Sequence, residues 1–232
     1  MNNKKTISIY DKQILPNYGL CDEKRYFEKG CKNTAINIKG NKIGLLICED
    51  SWNFNDIYNQ KLKNIDFLIS INASPYEKGK EKVRINFFKK LSKKHAFNLI
   101  YLNTIGGQDD IVFDGSSFIV DRDGNIKKAY KSFAEESCNV LINDGEFLEE
   151  SSFNTASTIG DEEEALYEAI KIGTYDYIRK SKLNGVLLGL SGGIDSALTL
   201  AIASDIFRRE DIEAVLLPSI FTSELSIQLA KE

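Results

Sequence analysis

Two short segments hold residue types that could do chemistry. The first is Ser191-Gly192-Gly193-Ile194-Asp195-Ser196, set between an apolar run over 186–190 and a helical run over 196–207. Such a loop joins a strand to a helix. The glycines let the backbone turn tightly, and the helix N-terminus offers unpaired N–H groups to an anion. The hydroxyls of Ser191 and Ser196 add donors, while the Asp195 carboxylate suits the Mg²⁺ that accompanies a polyphosphate. A plain capped turn uses Ser, Gly and Asp too, so composition alone leaves both readings open. The loop has neither the Gly-Lys-Ser/Thr of a Walker A sequence nor Gly-x-Gly-x-x-Gly.

The second segment is Cys48-Glu49-Asp50-Ser51-Trp52, where the apolar run 43–47 gives way to polar residues. A thiol at the carboxyl end of a buried strand stands where α/β proteins place their ligands. Most lone cysteines are small core hydrophobes, and this segment does not separate the two readings. A nucleophilic thiol needs a base and a cation nearby. The one histidine, His95, follows the lysine-rich stretch 89–94 on a solvated helix end, so a papain-like Cys–His pair is not expected. Lys12, ahead of the Pro16 loop, and Glu23, within 22–27, offer an ammonium and a carboxylate instead. Cys21, Cys31 and Cys138 lack such a setting and read as structural thiols.

Elements able to position these groups are legible along the chain. Residues 36–38 and 43–47 flank Lys39-Gly40-Asn41-Lys42 and predict a hairpin. Runs 65–72 and 97–104 have the β-branched and aromatic content of buried strands. Between them, 80–95 predicts a helix whose buried stripe is Val83, Phe87 and Leu91. A second hairpin is predicted over 116–120 and 125–130, and a further strand over 139–142. The stretch 144–159 loses periodicity and reads as a linker. Residues 161–180 then predict a helix with acids in its first turn and a stripe of Leu166, Ile170, Thr174 and Tyr177. A buried strand (186–190), the loop, a helix and a strand over 214–217 make the start of a βαβ unit.

Composition sets the outer limits. The 232 residues are 42% apolar and 28% charged, with a net charge of −4, as in an ordinary globular protein. That balance gives no blanket attraction to nucleic acid or to an anionic membrane. The basic cluster 89–94 lacks interleaved aromatics and reads as a solvated face. No stretch approaches the ~20 apolar residues of a membrane span, and the N-terminus has no apolar core of a secretory signal. Four scattered cysteines indicate neither a disulfide framework nor a zinc site, which points to a reducing cytoplasm.

SGGIDS resembles the pyrophosphate loop of the N-type ATP pyrophosphatases, which adenylate a carbonyl and let a nitrogen nucleophile displace AMP. KQILPNYG, DEKRYFEKG, GLLICEDSW, INASPY and TIGGQDDIVFDGSSFIVD, in that order, resemble the nitrilase-type glutaminase domain of the glutamine-dependent NAD⁺ synthetases. LLGLSGGIDSALTLAIA and LLPSIFTSE resemble the start of the same family's synthetase domain. The resemblance covers essentially the whole chain. It implies an α/β fold: a partial nitrilase-like αββα sandwich, then the first βαβ unit of a Rossmann-like adenine-nucleotide α-hydrolase fold. The corresponding division is a glutaminase portion at 1–144, a linker at 145–160 and a synthetase portion at 161–232.

The resemblance also implies roles. Cys48 falls on the nucleophile, Lys12 on the catalytic lysine, and Glu23 on the second glutamate that positions the lysine or the attacking water. Tyr18, Ser74 and Lys80 fall where the family holds glutamine. Ser191, Gly192, Gly193, Asp195 and Ser196 match the ATP loop, with Asp195 toward Mg²⁺. The implied substrates are L-glutamine, ATP and deamido-NAD⁺, and the implied assembly is a homo-oligomer. The family's general base is a glutamate well upstream of the lysine. Only Asp11 is acidic ahead of Lys12, and it abuts it, so the chain is expected to be a fragment that is inactive alone. A non-catalytic remnant or assembly module starting at Met1 is the alternative. Asparagine- and GMP-type amidotransferases share the ATP loop but use other glutaminases, so Lys12 with Cys48 argues against them.

Overall fold

The computed structural model describes residues 6–19, 21–32, 34–58, 62–148 and 161–232. Two compact units emerge: Met1–Ile105 with Phe113–Gly160, and Gly106–Val112 with Asp161–Glu232. In the first, a single helical turn, α1 (Glu23–Tyr26), precedes the hairpin of β1 (Thr34–Ile38) and β2 (Asn41–Ile47). The turn is the two residues Lys39-Gly40, so Asn41 and Lys42 belong to the strand and not to the turn. Two more single turns, α2 (Glu49–Trp52) and α3 (Phe54–Ile57), follow β2. Then come β3 (Phe67–Asn72), α4 (Lys80–His95) and β4 (Asn98–Asn103). A separate hairpin pairs β5 (Ile105–Gln108) with β6 (Ile111–Asp114). The main sheet resumes with β7 (Phe118–Val120) and β8 (Ile126–Ala129).

The sheet order is β1-β2-β3-β4-β7-β8, with β2, β3 and β4 parallel and the outer pairs antiparallel. Its register has a direct consequence. Ile47 pairs with Ile71, and Asn72 with Asn103, so the three parallel strands end level with one another. Side chains from one face (Leu46, Leu68, Leu99, Tyr101, Phe118) pack against Phe54, Ile85, Phe88 and Leu91 from the helices. Removing that apolar surface from water is the main stabilising term. Ile71 and Leu102 on the opposite face stay 56% and 42% exposed. The unit thus shows one helical layer on one sheet, which is half of an αββα sandwich.

Two sequence expectations in this unit need correction. In α4 the buried stripe is Arg84, Ile85, Phe88, Leu91 and Ser92, while Val83 is 60% exposed. Steps of four residues drift off a period of 3.6, and a buried salt bridge draws Arg84 inward. The strand expected over 139–142 is displaced. Ile142–Asn143 (β9) pairs with Glu146–Phe147 (β10) around Asp144-Gly145, both at positive φ, a geometry suited to a tight hairpin. Gly145 N–H donates to Asn41 Oδ1 at 2.7 Å, which ties this turn to the first unit. The linker expected at 145–160 lies, from 149 onward, outside the described residues.

The second unit comprises α5 (Glu162–Lys180), β11 (Val186–Leu190), α6 (Ile194–Ile206), β12 (Ile212–Leu216) and α7 (Glu224–Lys231). β11 and β12 pair in parallel across α6, giving the expected βαβ unit. Asp161 caps α5 by accepting from Glu163 N–H. The predicted α5 stripe is not buried: Leu166, Ile170 and Tyr177 are 49%, 42% and 57% exposed, and Ala169 is the residue that packs inward. Leu187 of β11 is also exposed, because a two-stranded sheet among the described residues leaves one face open. The tip of the β5–β6 hairpin belongs to this unit. Gly107 N–H donates to Asp176 Oδ2 at 2.7 Å, and the Lys180 ammonium donates to the Gly107 carbonyl.

Candidate active site

β2 delivers Cys48 to the end of the parallel strands, and the chain turns at once into α2. The turn holds Cys48 at φ 46°, ψ −107°, a conformation that costs a non-glycine residue on the order of 1–3 kcal/mol. Cys48 N–H donates to the Ile71 carbonyl at 2.9 Å, and the Cys48 carbonyl accepts from Ser51 N–H and Oγ at 2.9 and 2.6 Å. These bonds hold the strained residue from both sides.

Of the residues the sequence singled out, Lys12, Glu23 and Tyr18 lie close enough to the sulfur to act on it electrostatically, and Glu49 and the Ala73 amide join them. Burial pushes the Cys48 thiol above its ordinary pKa; the Ala73 backbone amide and the Lys12 charge pull it down, and Glu49 and Glu23 push it up again. At neutral pH the resting form is therefore the thiol. Lys12 Nζ contacts both oxygens of Glu23, at 2.6 and 2.7 Å, so α1 anchors the ammonium. The pairing makes Glu23 a partner of the lysine and occupies both its oxygens. Tyr18 donates its hydroxyl to Glu49 Oε2 at 2.9 Å, and Glu49 Oε1 accepts from Asn53 Nδ2 at 3.2 Å. Ser74 is buried beyond the end of β3, one residue past Ala73. Lys80, at the start of α4, pairs with Glu77 at 2.7 Å. His95 packs its ring on Phe54, with the centroids 4.9 Å apart, and its Nε2 meets Asn55 Oδ1 at 3.2 Å.

Asp50 and Asn103 were not among the residues the sequence singled out. Asp50 is fully buried and accepts from Tyr10 Oη at 2.7 Å and from the N–H groups of Gln13 and Ile14 at 3.1 and 2.7 Å. It thereby fastens the segment bearing Lys12 to the helix that follows Cys48. Asp50 lies three residues past the end of β2, and nothing in residue order says which distant donors its carboxylate meets. Behind the site, Arg84 is fully buried and meets Asp114 at 2.5 Å. Burial opposes the Arg84 charge, and Asp114 and Tyr101 more than offset it. Arg84 Nε and Nη1 have no hydrogen-bond partner. We expect Asp114→Ala to strand this cation and to cost about 3–5 kcal/mol. The check is the denaturant midpoint of the full chain; a cost under about 1 kcal/mol would show that the charge is satisfied without Asp114.

In the second unit, Ser191–Ser196 forms the predicted strand–loop–helix. Gly193 stands at the N-cap of α6 with no side-chain cap, which leaves first-turn N–H groups for an anion. Ser191 and Ser196 hydroxyls lie 3.1 Å apart, Gly193 N–H donates to Ser191 Oγ at 3.2 Å, and Ser196 Oγ donates to the Gly193 carbonyl at 2.9 Å. Gly192 sits at φ 79°, and a Cβ there would collide with the Ser226 carbonyl of α7. An open cavity of about 300 Å³ adjoins the loop, lined by Gly189, Ser191, Leu216, Pro218, Thr222 and Ile227. Asp195 lies in the first turn of α6. Among the described residues no cluster of three or more His, Cys, Asp or Glu could hold a metal alone.

Residues 1–145 match the carbon-nitrogen hydrolase family, and residues 166–232 match the NAD synthase family. The chain is 40% identical to the glutamine-dependent NAD(+) synthetase of Acinetobacter baylyi and 33% identical to that of Aquifex aeolicus. These alignments cover 100% and 98% of this chain but 42% and 45% of the relatives, so the chain spans under half their length. Among solved structures, the Acinetobacter baumannii glutamine-dependent NAD⁺ synthetase, in complex with ADP, superposes with a TM-score of 0.89 at 38% identity. That match covers 98% of this chain and 43% of the other. The chain belongs to the carbon-nitrogen hydrolase family, followed in the same polypeptide by the opening segment of an NAD synthase domain.

Proposed function

We propose that this chain carries the glutaminase centre and the ATP loop of a glutamine-dependent NAD⁺ synthetase, with the glutaminase portion at 1–144, a linker at 145–160 and the synthetase portion at 161–232. The observation that carries the reading is the Lys12–Glu23 pair beside Cys48 at a strained strand end, in one chain with the Ser191–Ser196 loop. Cys48 attacks the side-chain carboxamide carbon of glutamine. The Lys12 ammonium and the Glu49 backbone N–H stabilise the oxyanion. The C–N bond breaks, the thiol proton leaves with the nitrogen as ammonia, and water hydrolyses the glutamyl thioester to glutamate. Tyr18, Ser74 and Lys80 hold the glutamine. The family resemblance implies that the proton acceptor is a further glutamate, while Glu23 holds Lys12 and Glu49 holds Tyr18.

In the second half-reaction the deamido-NAD⁺ carboxylate attacks the α-phosphorus of ATP, releasing pyrophosphate, and ammonia then displaces AMP from the adenylate. Ser191, Gly192, Gly193 and Ser196 cradle the pyrophosphate portion with hydroxyl and N–H donors. A relative solved in complex with ADP supports a nucleotide ligand. One Mg²⁺ fits the donor chemistry, with Asp195 the carboxylate toward it and phosphate oxygens and waters completing the shell. Bound there, the ion would neutralise charge on the phosphates. No helix among the described residues is long and apolar enough to cross a membrane. The four cysteines are free, which supports a reducing cytoplasm as the compartment. A homo-oligomer is the corresponding assembly.

The test is NAD⁺ formation by the purified full-length protein that carries this segment, from ATP, deamido-NAD⁺ and either glutamine or ammonium. We expect product from both donors, with AMP and pyrophosphate in equal amounts. Absence of product from both would replace this reading with that of a non-catalytic remnant.

A further inference from the structure

We infer that Asn103 is a positioning residue for the thiol: its side chain clamps the backbone at Ser74 and so aims the Ala73 N–H at Cys48 Sγ. This rests on the reading of Cys48 as the nucleophile. The β3–β4 ladder ends at the pair Asn72–Asn103, so residues 73 and 74 have no strand partner to fix them. Asn103 continues the ladder with its side chain. Its Oδ1 accepts from Ser74 N–H at 2.8 Å, and its Nδ2 donates to the Ser74 carbonyl at 3.2 Å. That is the donor–acceptor pair a neighbouring strand would have supplied. The second Nδ2 hydrogen reaches Asp114 Oδ1 at 3.1 Å, and because a carboxylate only accepts, the amide cannot be flipped.

Asp114 is fixed in turn. Its Oδ2 meets Arg84 Nη2 at 2.5 Å and accepts from Ser116 Oγ at 3.0 Å. A continuous line therefore runs from a buried guanidinium in α4, through Asp114 and Asn103, to the backbone that donates to the sulfur. Asn72 is held separately, donating to the carbonyls of Ser70 and Leu102, so the strand ends do not depend on Asn103. What depends on it is the two-residue step after them. The other titratable groups facing the sulfur are Lys12, Tyr18, Glu23, Glu49 and, from β4, Tyr101, whereas the side-chain hydrogen bonds of Asn103 go to Ser74 and Asp114.

The experiment follows iodoacetamide alkylation of Cys48 against pH in the full-length protein that carries this segment, read on the Cys48 peptide by mass spectrometry. Its companion measurement is glutamine hydrolysis. Asn103→Ala should raise the alkylation midpoint by about one pH unit, because one charge-assisted hydrogen bond to the thiolate is lost. Hydrolysis should fall about tenfold in kcat, with ammonium-supported synthesis intact. Asn103→Ser, which is too short to bridge Ser74, should give the same shift. A folded variant whose Cys48 midpoint matches the wild type overturns the assignment, and so does failure of both variants to fold, since Asn103 would then serve the fold alone. Glutamine hydrolysis surviving in Cys48→Ala would instead remove the nucleophile reading, and the midpoint shift would still report on the clamp.

Discussion

Cys48→Ala in the full-length protein that carries this segment should abolish NAD⁺ formation from glutamine, by on the order of 10⁵–10⁶ in rate, and leave formation from ammonium essentially unchanged. The size follows from what is removed. Without the sulfur there is no covalent intermediate, and Lys12 and the neighbouring N–H groups are left polarising a carbonyl that no group attacks. The selectivity follows from the organisation of the chain. Cys48 lies in the first unit, whereas the Ser191–Ser196 loop lies in the second. Ammonia supplied from solution bypasses only the first half-reaction. NAD⁺ measured with each donor decides the matter, and equal loss of both activities would sink the role given to Cys48. Alanine also relieves none of the positive-φ strain at this position, so the variant's stability should stay close to that of the parent.

Asp195→Ala should give the complementary pattern. We expect NAD⁺ synthesis to drop by on the order of 10²–10³ with glutamine and with ammonium alike, since the carboxylate that would hold the Mg²⁺ accompanying the triphosphate is lost. Glutamate release from glutamine should persist, because no element of the Cys48 site depends on Asp195. Asp195 is not needed as the cap of α6; that place belongs to Gly193, so loss of activity would not be loss of the helix. The readouts are NAD⁺ and glutamate in the same reaction. Retained synthesis from ammonium would show that the loop does not serve the nucleotide.

The resting state of the thiol bears on both the mechanism and the Asn103 clamp. Burial outweighs the Ala73 amide and the Lys12 charge, so the sulfur is protonated near neutral pH. A buried thiolate kept permanently would be exposed to oxidation, whereas a protonated thiol is nucleophilic only once an acceptor and the substrate are both in place. The hydrogen bonds of Asn103, Asp50 and Glu23 share one function. Each fixes a backbone segment or a cation that must already be aligned when that proton moves.

Much of this was legible in residue order. Cys48 closes an apolar run and Asp195 opens a helix after two glycines, patterns set by local chemistry that need no distant partner to be recognised. The hairpin, the parallel strands and the βαβ unit followed from periodicity in the same way. The expected stripes on α4 and α5 failed because burial is decided by what packs on a helix. Arg84 goes inward because Asp114, thirty residues later, meets it there. Leu166 and Ile170 stay exposed because little in the second unit covers them. Asp50 and Asn103 were invisible for a related reason: an acid or an amide has no role until the fold shows which N–H groups it faces. The sequence determined the reactive groups and the strands that carry them. Only the tertiary structure, by ending three parallel strands level with one another, decided which residues meet at the sulfur.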